Sequence, residues 1–274
     1  MNLGALPFFC RAEGLNFTYE AVPMYNFFVD ESARRGDAFA ISGADYNHIR
    51  NVLRMHPGDT FLVSCGGGSH LCELTQFEED TVVAAIREEN YQDTELPVEL
   101  YLFQGLPKAD KMELIIQKAV ELGVHSVIPV EMKRCGVKLE EKKKKSRRER
   151  WQAIAESAAK QSKRSRIPEV GEVLSYQEAM AMAGEMDLFL LPYENERGMA
   201  ATKEALETIR PGMKVAILIG PEGGFDPKEV DKAGEKGARS ISLGRRILRT
   251  ETAAITAVGM CMLHIETNLG GEDA

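Results

Sequence analysis

The sequence predicts an α/β protein: an open, mainly parallel sheet over residues 97–270, preceded by a small β-barrel over residues 24–92. Three observations predict it. Before residue 90, short runs of strand formers alternate with turns, and a single short helix interrupts them. After Pro97, strands and helices alternate, the rhythm of a parallel sheet. Twice in the last third a strand passes through glycine directly into a helix, at "KVAILIGPEGGFDPKEV" and at "SLGRRILRTETAAITAV".

The elements follow in order. Residues 1–23 lack periodicity and read as an N-terminal extension, and "MYNFFVD" opens the first strand. "FAISG", "DTFLVSC", "HLCELTQF" and "TVVAAIRE" are further strands, "CGGGS" is a hairpin tip, and a short helix spans about residues 44–53. The polar stretch "NYQDTELP" is a linker. "VELYLFQ" is a strand. Asp110 caps the next helix with Glu113 in the capping-box position, and Gly123 ends it. "VHSVIPV" is a strand. Trp151, Ile154, Ala155, Ala158 and Ala159 form the apolar stripe of a helix whose other faces are basic. "MDLFLL", "KVAILIG" and "RSISLG" are strands. Asp226, with Pro227 at the first helical position and Glu229 three residues after the cap, opens a helix. The last helix, about residues 251–265, is apolar on nearly every side and belongs in a core or a subunit interface.

Composition narrows the class. A hydrophobic content of 44% with 28% charged residues fits a soluble globular protein, and no apolar run is long enough to span a bilayer. With no export signal at the start and five scattered cysteines, none in a CxxC pair, the expected setting is the reducing cytoplasm. The five histidines have no metal-ligand spacing, so no metal is expected. The net charge of -8 argues against a polyanion partner, but its distribution does not. Residues 133–166 hold 14 Lys/Arg against 4 Glu, a local +10 inside a chain that is otherwise -18. That segment is either a solvated charge run or a polyanion-facing surface.

The glycine corners select a ligand. The stretch after Ile219 lacks the GxxxxGK[ST] of a P-loop, and its glycines, Gly220, Gly223 and Gly224, do not follow the GxGxxG spacing of an early dinucleotide loop. Glu222 would repel a pyrophosphate. A ligand with positive charge and a flat base, and without phosphate, suits the loop better; S-adenosylmethionine has an adenine, a ribose and a sulfonium. A plain tight turn is the alternative reading. The second corner, and "LLPYENE" as a third edge, would line the same crevice at the carboxyl ends of the strands.

"LIGPEGGF" followed by "LGRRILRTETAAI" resembles the SPOUT methyltransferase superfamily and, more narrowly, the RsmE family of uridine-N3 methyltransferases of small-subunit ribosomal RNA. "HIRNVLRMHPGD", "PKADKMELIIQKAVELGV", "KRCGVKL" and "RWQAIAESAAKQSKRSRIPEV" extend the resemblance over about residues 24–265. It implies a PUA-like RNA-binding barrel, a SPOUT domain with a C-terminal trefoil knot, bound S-adenosyl-L-methionine and a homodimer. The implied substrate is 16S ribosomal RNA of the small subunit, at the uridine numbered 1498. Where the family opening carries an arginine before its first aromatic pair, this chain has Asn26. Two other readings remain: a methyltransferase of the same fold acting on transfer RNA or a ribose hydroxyl, and an RNA-binding protein without catalysis.

Roles follow from the chemistry. Uridine N3 must lose its proton before attack. Arg249 stays charged and cannot be the base, but it can stabilise the negative charge on the uracil oxygens or anchor a phosphate. Glu251 either accepts a proton or, preferably, holds Arg249; a simple complement to the helix N-terminus is the third option. The expected cofactor residues are Leu191, Pro192, Ile219, Gly220, Glu222, Gly223, Gly224, Leu243, Gly244, Ile247, Leu248, Thr252 and Ala253. The expected RNA contacts are Arg50 and Arg54 in the first domain and Lys108, Arg134, Arg164 and Arg166 in the second.

Overall fold

The computed structural model describes residues 25–91, 94–137, 139–193 and 198–270. The expected N-terminal extension and the Glu194–Glu196 part of the third edge lie outside the described residues. The first part contains β1 (Asn26–Phe28), β2 (Arg34–Arg35), β3 (Ala38–Ser42), α1 (Gly43–Asn47), β4 (Thr60–Cys65), β5 (Gly68–Phe77) and β6 (Thr81–Glu88). These strands form one six-stranded sheet in the order β1-β4-β5-β6-β3-β2. Gly66 and Gly67, both at positive φ, make the two-residue turn between β4 and β5 that the glycine run predicts. The predicted short helix is real but irregular: α1 continues as a π-wound turn over His48–Val52. Phe27, Phe39, Ile41, Ile49, Phe61 and Leu74 fill the core of this part.

The second part contains β7 (Glu99–Gly105), α2 (Lys111–Glu121), β8 (Ser126–Glu131), α3 (Glu141–Gln161), β9 (Glu169–Val170), β10 (Leu174–Ser175), α4 (Tyr176–Ala183), β11 (Leu188–Pro192), α5 (Ala200–Leu206), β12 (Lys214–Ile219), α6 (Pro227–Glu235), β13 (Arg239–Ile241) and α7 (Thr250–Leu269). The sheet order is β10-β8-β7-β12-β11-β13, with β9 beside β8, and every described pairing is parallel. Leu100, Leu102, Val215 and Ile217 face α2, α3 and α7 on one side of this sheet; Phe103, Ile128, Ala216 and Leu218 face α4 and α6 on the other.

Among the described helices, side-chain capping boxes open α4 and α6. Asp226 and Glu229 form the predicted capping box at the start of α6. The box expected at Asp110 is absent: Asp110 makes no side-chain cap bond, and Glu113 pairs with Arg150 at 2.8 Å instead. The basic run is helical from Glu141 onward, and its cations find carboxylates on neighbouring elements. Arg148 meets Glu169 at 3.0 Å and Glu172 at 2.7 Å, and Lys144 meets Glu131 at 3.4 Å. In α7 the buried stripe is Ala254, Ala257, Val258, Cys261 and Ile265, whereas Leu263 is 58% exposed. The expectation of apolar burial on nearly every side therefore holds for one face only within a single chain.

The two sheets meet across a polar seam. Asn26, 6% exposed, donates from Nδ2 to the carbonyl of Arg164 at 2.9 Å and accepts from Ser64 Oγ at 3.0 Å. The Arg164 guanidinium pairs with Glu95 and donates to the carbonyls of Val120 at 3.2 Å and Val124 at 2.6 Å.

Candidate functional site

At the carboxyl ends of β11, β12 and β13 lies a cavity of about 530 Å³. Pro192 and Tyr193 supply one wall, residues 219–225 a second, and residues 242–250 with Ala253 a third. Ligands of open parallel sheets lie at such strand ends. The glycine corner after β12 is closely packed. A Cβ on Gly223 would stand 2.8 Å from the carbonyl oxygen of Arg134, and Gly224 sits at φ +65°. Arg134 returns a hydrogen bond from Nη1 to the Gly223 carbonyl at 3.2 Å.

A buried relay fixes the two glycine corners relative to each other. Thr250, the first residue of α7, donates from Oγ1 to the Gly220 carbonyl at 2.7 Å and accepts from Gln104 Nε2 at 3.0 Å. Gln104 is fully buried at the end of β7 and also donates to the Gly105 carbonyl at 2.8 Å.

Charge at the cavity is organised by a lysine. Lys111 Nζ lies 3.1 Å from Glu222 Oε1 and 3.2 Å from Glu251 Oε2. Glu222 also accepts the backbone N–H of Lys108 at 3.0 Å. Burial by itself would raise the Glu222 carboxyl. Its own backbone N–H, that of Lys108 and the Lys111 ammonium outweigh burial and hold it below the usual carboxylate range. Glu251 is treated alike: burial opposes its ionisation, and its own N–H, Lys111 and, last, Arg249 overcome that opposition. Lys111 is correspondingly raised by Glu222 and then Glu251. The cavity thus carries two ionised carboxylates and one shared ammonium. Arg249 lines it with an exposed side chain that has no hydrogen bond or ion pair among the described residues, and Arg245 and Arg246 are exposed beside it.

A family model for RNA methyltransferase domains matches residues 94–262, and one for the PUA domain of RNA methyltransferases matches residues 41–86. The ribosomal RNA small subunit methyltransferase E of Bacillus subtilis strain 168 is 37% identical over 91% of this chain and 100% of its own length. The chain belongs to this methyltransferase family. The crystal structure of the Neisseria gonorrhoeae member bound to S-adenosyl methionine is 32% identical with a TM-score of 0.73, covering 88% of this chain and 97% of that one. A complex with the cofactor S-adenosylmethionine from Legionella pneumophila is 28% identical with a TM-score of 0.74, over 88% and 98%.

For a methyltransferase of this family the predicted site residues sort into three groups. Pro192, Ile219, Gly220, Glu222, Gly223, Gly224, Leu243, Gly244, Ile247, Leu248, Arg249 and Ala253 all line the cavity. Leu191 and Thr252 do not. Leu191 is 1% exposed because its side chain belongs to the buried cluster that includes Met180 and Ala233, and Thr252 is exposed because the helical turn points it away from the cavity lined by Ala253. Glu251 is beside the cavity, but its ion-pair partner is Lys111 and not Arg249, because α2 brings an ammonium to it.

Of the RNA candidates, Arg50, Arg54, Lys108, Arg134 and Arg166 are exposed. Arg50 stacks over the rings of Tyr46 and Phe77 at 5.6 and 5.4 Å. Arg164 is corrected: it is 4% exposed, and its guanidinium is consumed by Glu95 and two carbonyls at the seam, so it presents no charge to RNA. Sequence reading missed Lys111, Gln104 and Thr250. Thr250 stood within the quoted "LRTET" motif, but nothing in the order of residues ties positions 104 and 111 to positions 220, 222 and 251.

Proposed function

We propose that the protein methylates N3 of the uridine at position 1498 of 16S ribosomal RNA in the small subunit, using S-adenosyl-L-methionine. The observation that carries this reading is the cavity itself: a glycine-lined wall bearing an ionised carboxylate, with the unpaired Arg249 at the rim. Its volume is within the roughly 300–1,000 Å³ typical of small-ligand pockets. The donor set fits the cofactor: Ile219, Leu243, Leu248 and Ala253 offer apolar surface for an adenine, and the Glu222 charge suits a cation and repels a pyrophosphate. When bound, the cofactor supplies an activated methyl group on its sulfonium. The family relationship supports the RNA substrate.

The chain's own residues position and polarise the substrate. Arg249 stabilises the charge that reaches the uracil oxygens as N3 gives up its proton. Glu251, held ionised by Lys111, complements the N-terminus of α7. Exposed Arg50, Arg54, Lys108, Arg134 and Arg166 contact RNA phosphates. Within this reading the chain divides into a PUA-like barrel over residues 24–92 and a SPOUT domain over residues 97–270. The placement of β11 between β12 and β13 supports a trefoil knot in the latter. The exposed face of α7 around Leu263 supports a homodimer, and the setting is the cytoplasm.

The experiment is mass mapping of 16S ribosomal RNA from a deletion strain, joined to calorimetry with S-adenosylmethionine. Loss of one base methyl at that uridine, restored by the gene, is the expected result. Loss of a methyl from transfer RNA or from a ribose hydroxyl would redirect the substrate, and absence of cofactor binding would leave an RNA-binding protein without catalysis.

A further inference from the structure

We infer that Lys111 is a positioning residue that keeps Arg249 available to substrate by engaging Glu251, the carboxylate that would otherwise neutralise it. The inference rests on the methyltransferase reading above. Arg249 caps α7 and Glu251 lies in its first turn, two residues on. Arg249 is close enough to Glu251 to favour its ionised form, yet no ion pair joins them. The carboxylate's ion-pair partner is instead the Lys111 ammonium, 3.2 Å from Glu251 Oε2 and 3.1 Å from Glu222 Oε1.

The placement of Lys111 is fixed by packing. It is the first residue of α2, and the adjoining Met112, Ile115 and Ile116 are buried in the core shared with α7. The side chains of Lys111 and Glu251 are 29% and 15% exposed, so salt screens this half-buried pair less than a fully exposed one. A flexible guanidinium without such a competitor would pair with the nearest ionised carboxylate in a fork that matches it well. An arginine neutralised in that way has lost much of the field it can offer to a developing uracil anion. Lys111 thus sorts the charges: two carboxylates to the lysine, the arginine to the substrate.

The test uses the full-length protein and four forms: wild type, Lys111→Gln, Glu251→Gln and the double variant. Two readouts are taken. One is the single-turnover rate of methyl transfer to small ribosomal subunits at saturating S-adenosylmethionine. The other is the rate at which phenylglyoxal modifies Arg249, mapped by peptide mass spectrometry without cofactor. Lys111→Gln is expected to slow methyl transfer roughly tenfold, the lower end of the scale for one hydrogen bond to a charged group, and to protect Arg249 several-fold from the reagent. The double variant is expected to recover both readouts to the level of Glu251→Gln alone. Lys111→Arg, which keeps the cation, serves as the folding-competent comparison and should leave both readouts near their wild-type values. Wild-type rate and reactivity in Lys111→Gln would overturn the inference. So would a loss that the second substitution fails to reverse, which would assign Lys111 a different role. A wild-type protein that transfers no methyl would instead overturn the underlying functional reading, and the inference with it.

Discussion

Arg164 and Arg249 are both arginines that the sequence offered for work on RNA, and the fold treats them in opposite ways. At the domain seam, Arg164 is 4% exposed and has Glu95 and the carbonyls of Val120 and Val124 as partners. At the cavity, Arg249 is exposed and has no partner among the described residues. An arginine with its donors satisfied inside the protein is part of the architecture. One held by a helix start over a cavity, with its donors free, is available for chemistry. The difference is made by neighbours distant in sequence, so a count of local charge cannot supply it.

The sharpest way to break the comparison is at the seam. Arg164→Ala leaves Glu95 without its buried partner and two carbonyls without donors. The expected loss is about 3–5 kcal/mol, the scale for breaking one side of a buried pair. Urea denaturation would measure it. The neighbouring exposed variant Arg166→Ala should change stability by no more than about 0.5 kcal/mol. Equal stability of the two variants would contradict the structural role of Arg164.

The next effect belongs to Arg249. Arg249→Lys should fold and bind S-adenosylmethionine like the wild type, because no intramolecular contact is lost. Its single-turnover methyl-transfer rate should fall by roughly 100-fold or more, as when one preorganised donor is removed from a transition state. A rate that recovers at high substrate concentration would make Arg249 an RNA anchor instead.

These two arginines also measure how much could be read in advance. The division into a β-rich part and a parallel α/β part, the glycine corners and the capping box at Asp226 are local patterns of a few residues, and they were legible. The cavity wall was legible because residues 219–225 and 243–249 each form one continuous segment. The seam was not. Asn26, Ser64, Glu95 and Arg164 are separated by tens of residues, and each looks like an ordinary surface residue until the two sheets close over it. Asn26, at the position where the resemblance leads one to expect an arginine, is buried and hydrogen-bonded across the seam. For the same reason Glu251 was given to Arg249, its neighbour in sequence, when its ion-pair partner is Lys111, its neighbour in space.

A smaller effect tests the relay that joins the glycine corners. Thr250→Val keeps the shape but removes the hydroxyl between Gln104 and Gly220. Gln104, whose Oε1 already lacks a hydrogen-bond partner, would keep only its bond to the Gly105 carbonyl. The expected cost is about 1–3 kcal/mol of stability, with a several-fold weaker affinity for S-adenosylmethionine by calorimetry, because the loop after β12 would no longer be tied to α7. Unchanged affinity would show that the loop is held by its packing against Arg134 alone.

The smallest effect is expected at an arginine that is free, like Arg249, but outside the cavity. Arg54 is exposed, at φ +53°, with no hydrogen bond or ion pair among the described residues. Nothing in the fold depends on its guanidinium, so Arg54→Ala should leave stability and cofactor affinity unchanged. If it meets an RNA phosphate, its removal takes one counterion-releasing contact from the interface. The slope of log affinity against log salt should then become shallower by roughly one for a duplex contact and somewhat less for a single strand. At low salt the affinity for small subunits should fall by a few-fold, while the single-turnover rate at saturating substrate stays at the wild-type value. A filter-binding titration at several salt concentrations measures the affinity and its salt slope, and a single-turnover methylation assay measures the rate. An unchanged slope would place the RNA elsewhere on the first domain. A slower rate at saturation would mean that Arg54 helps orient the nucleotide over the cavity, and that freedom from internal partners, more than position, decides which arginines act on substrate.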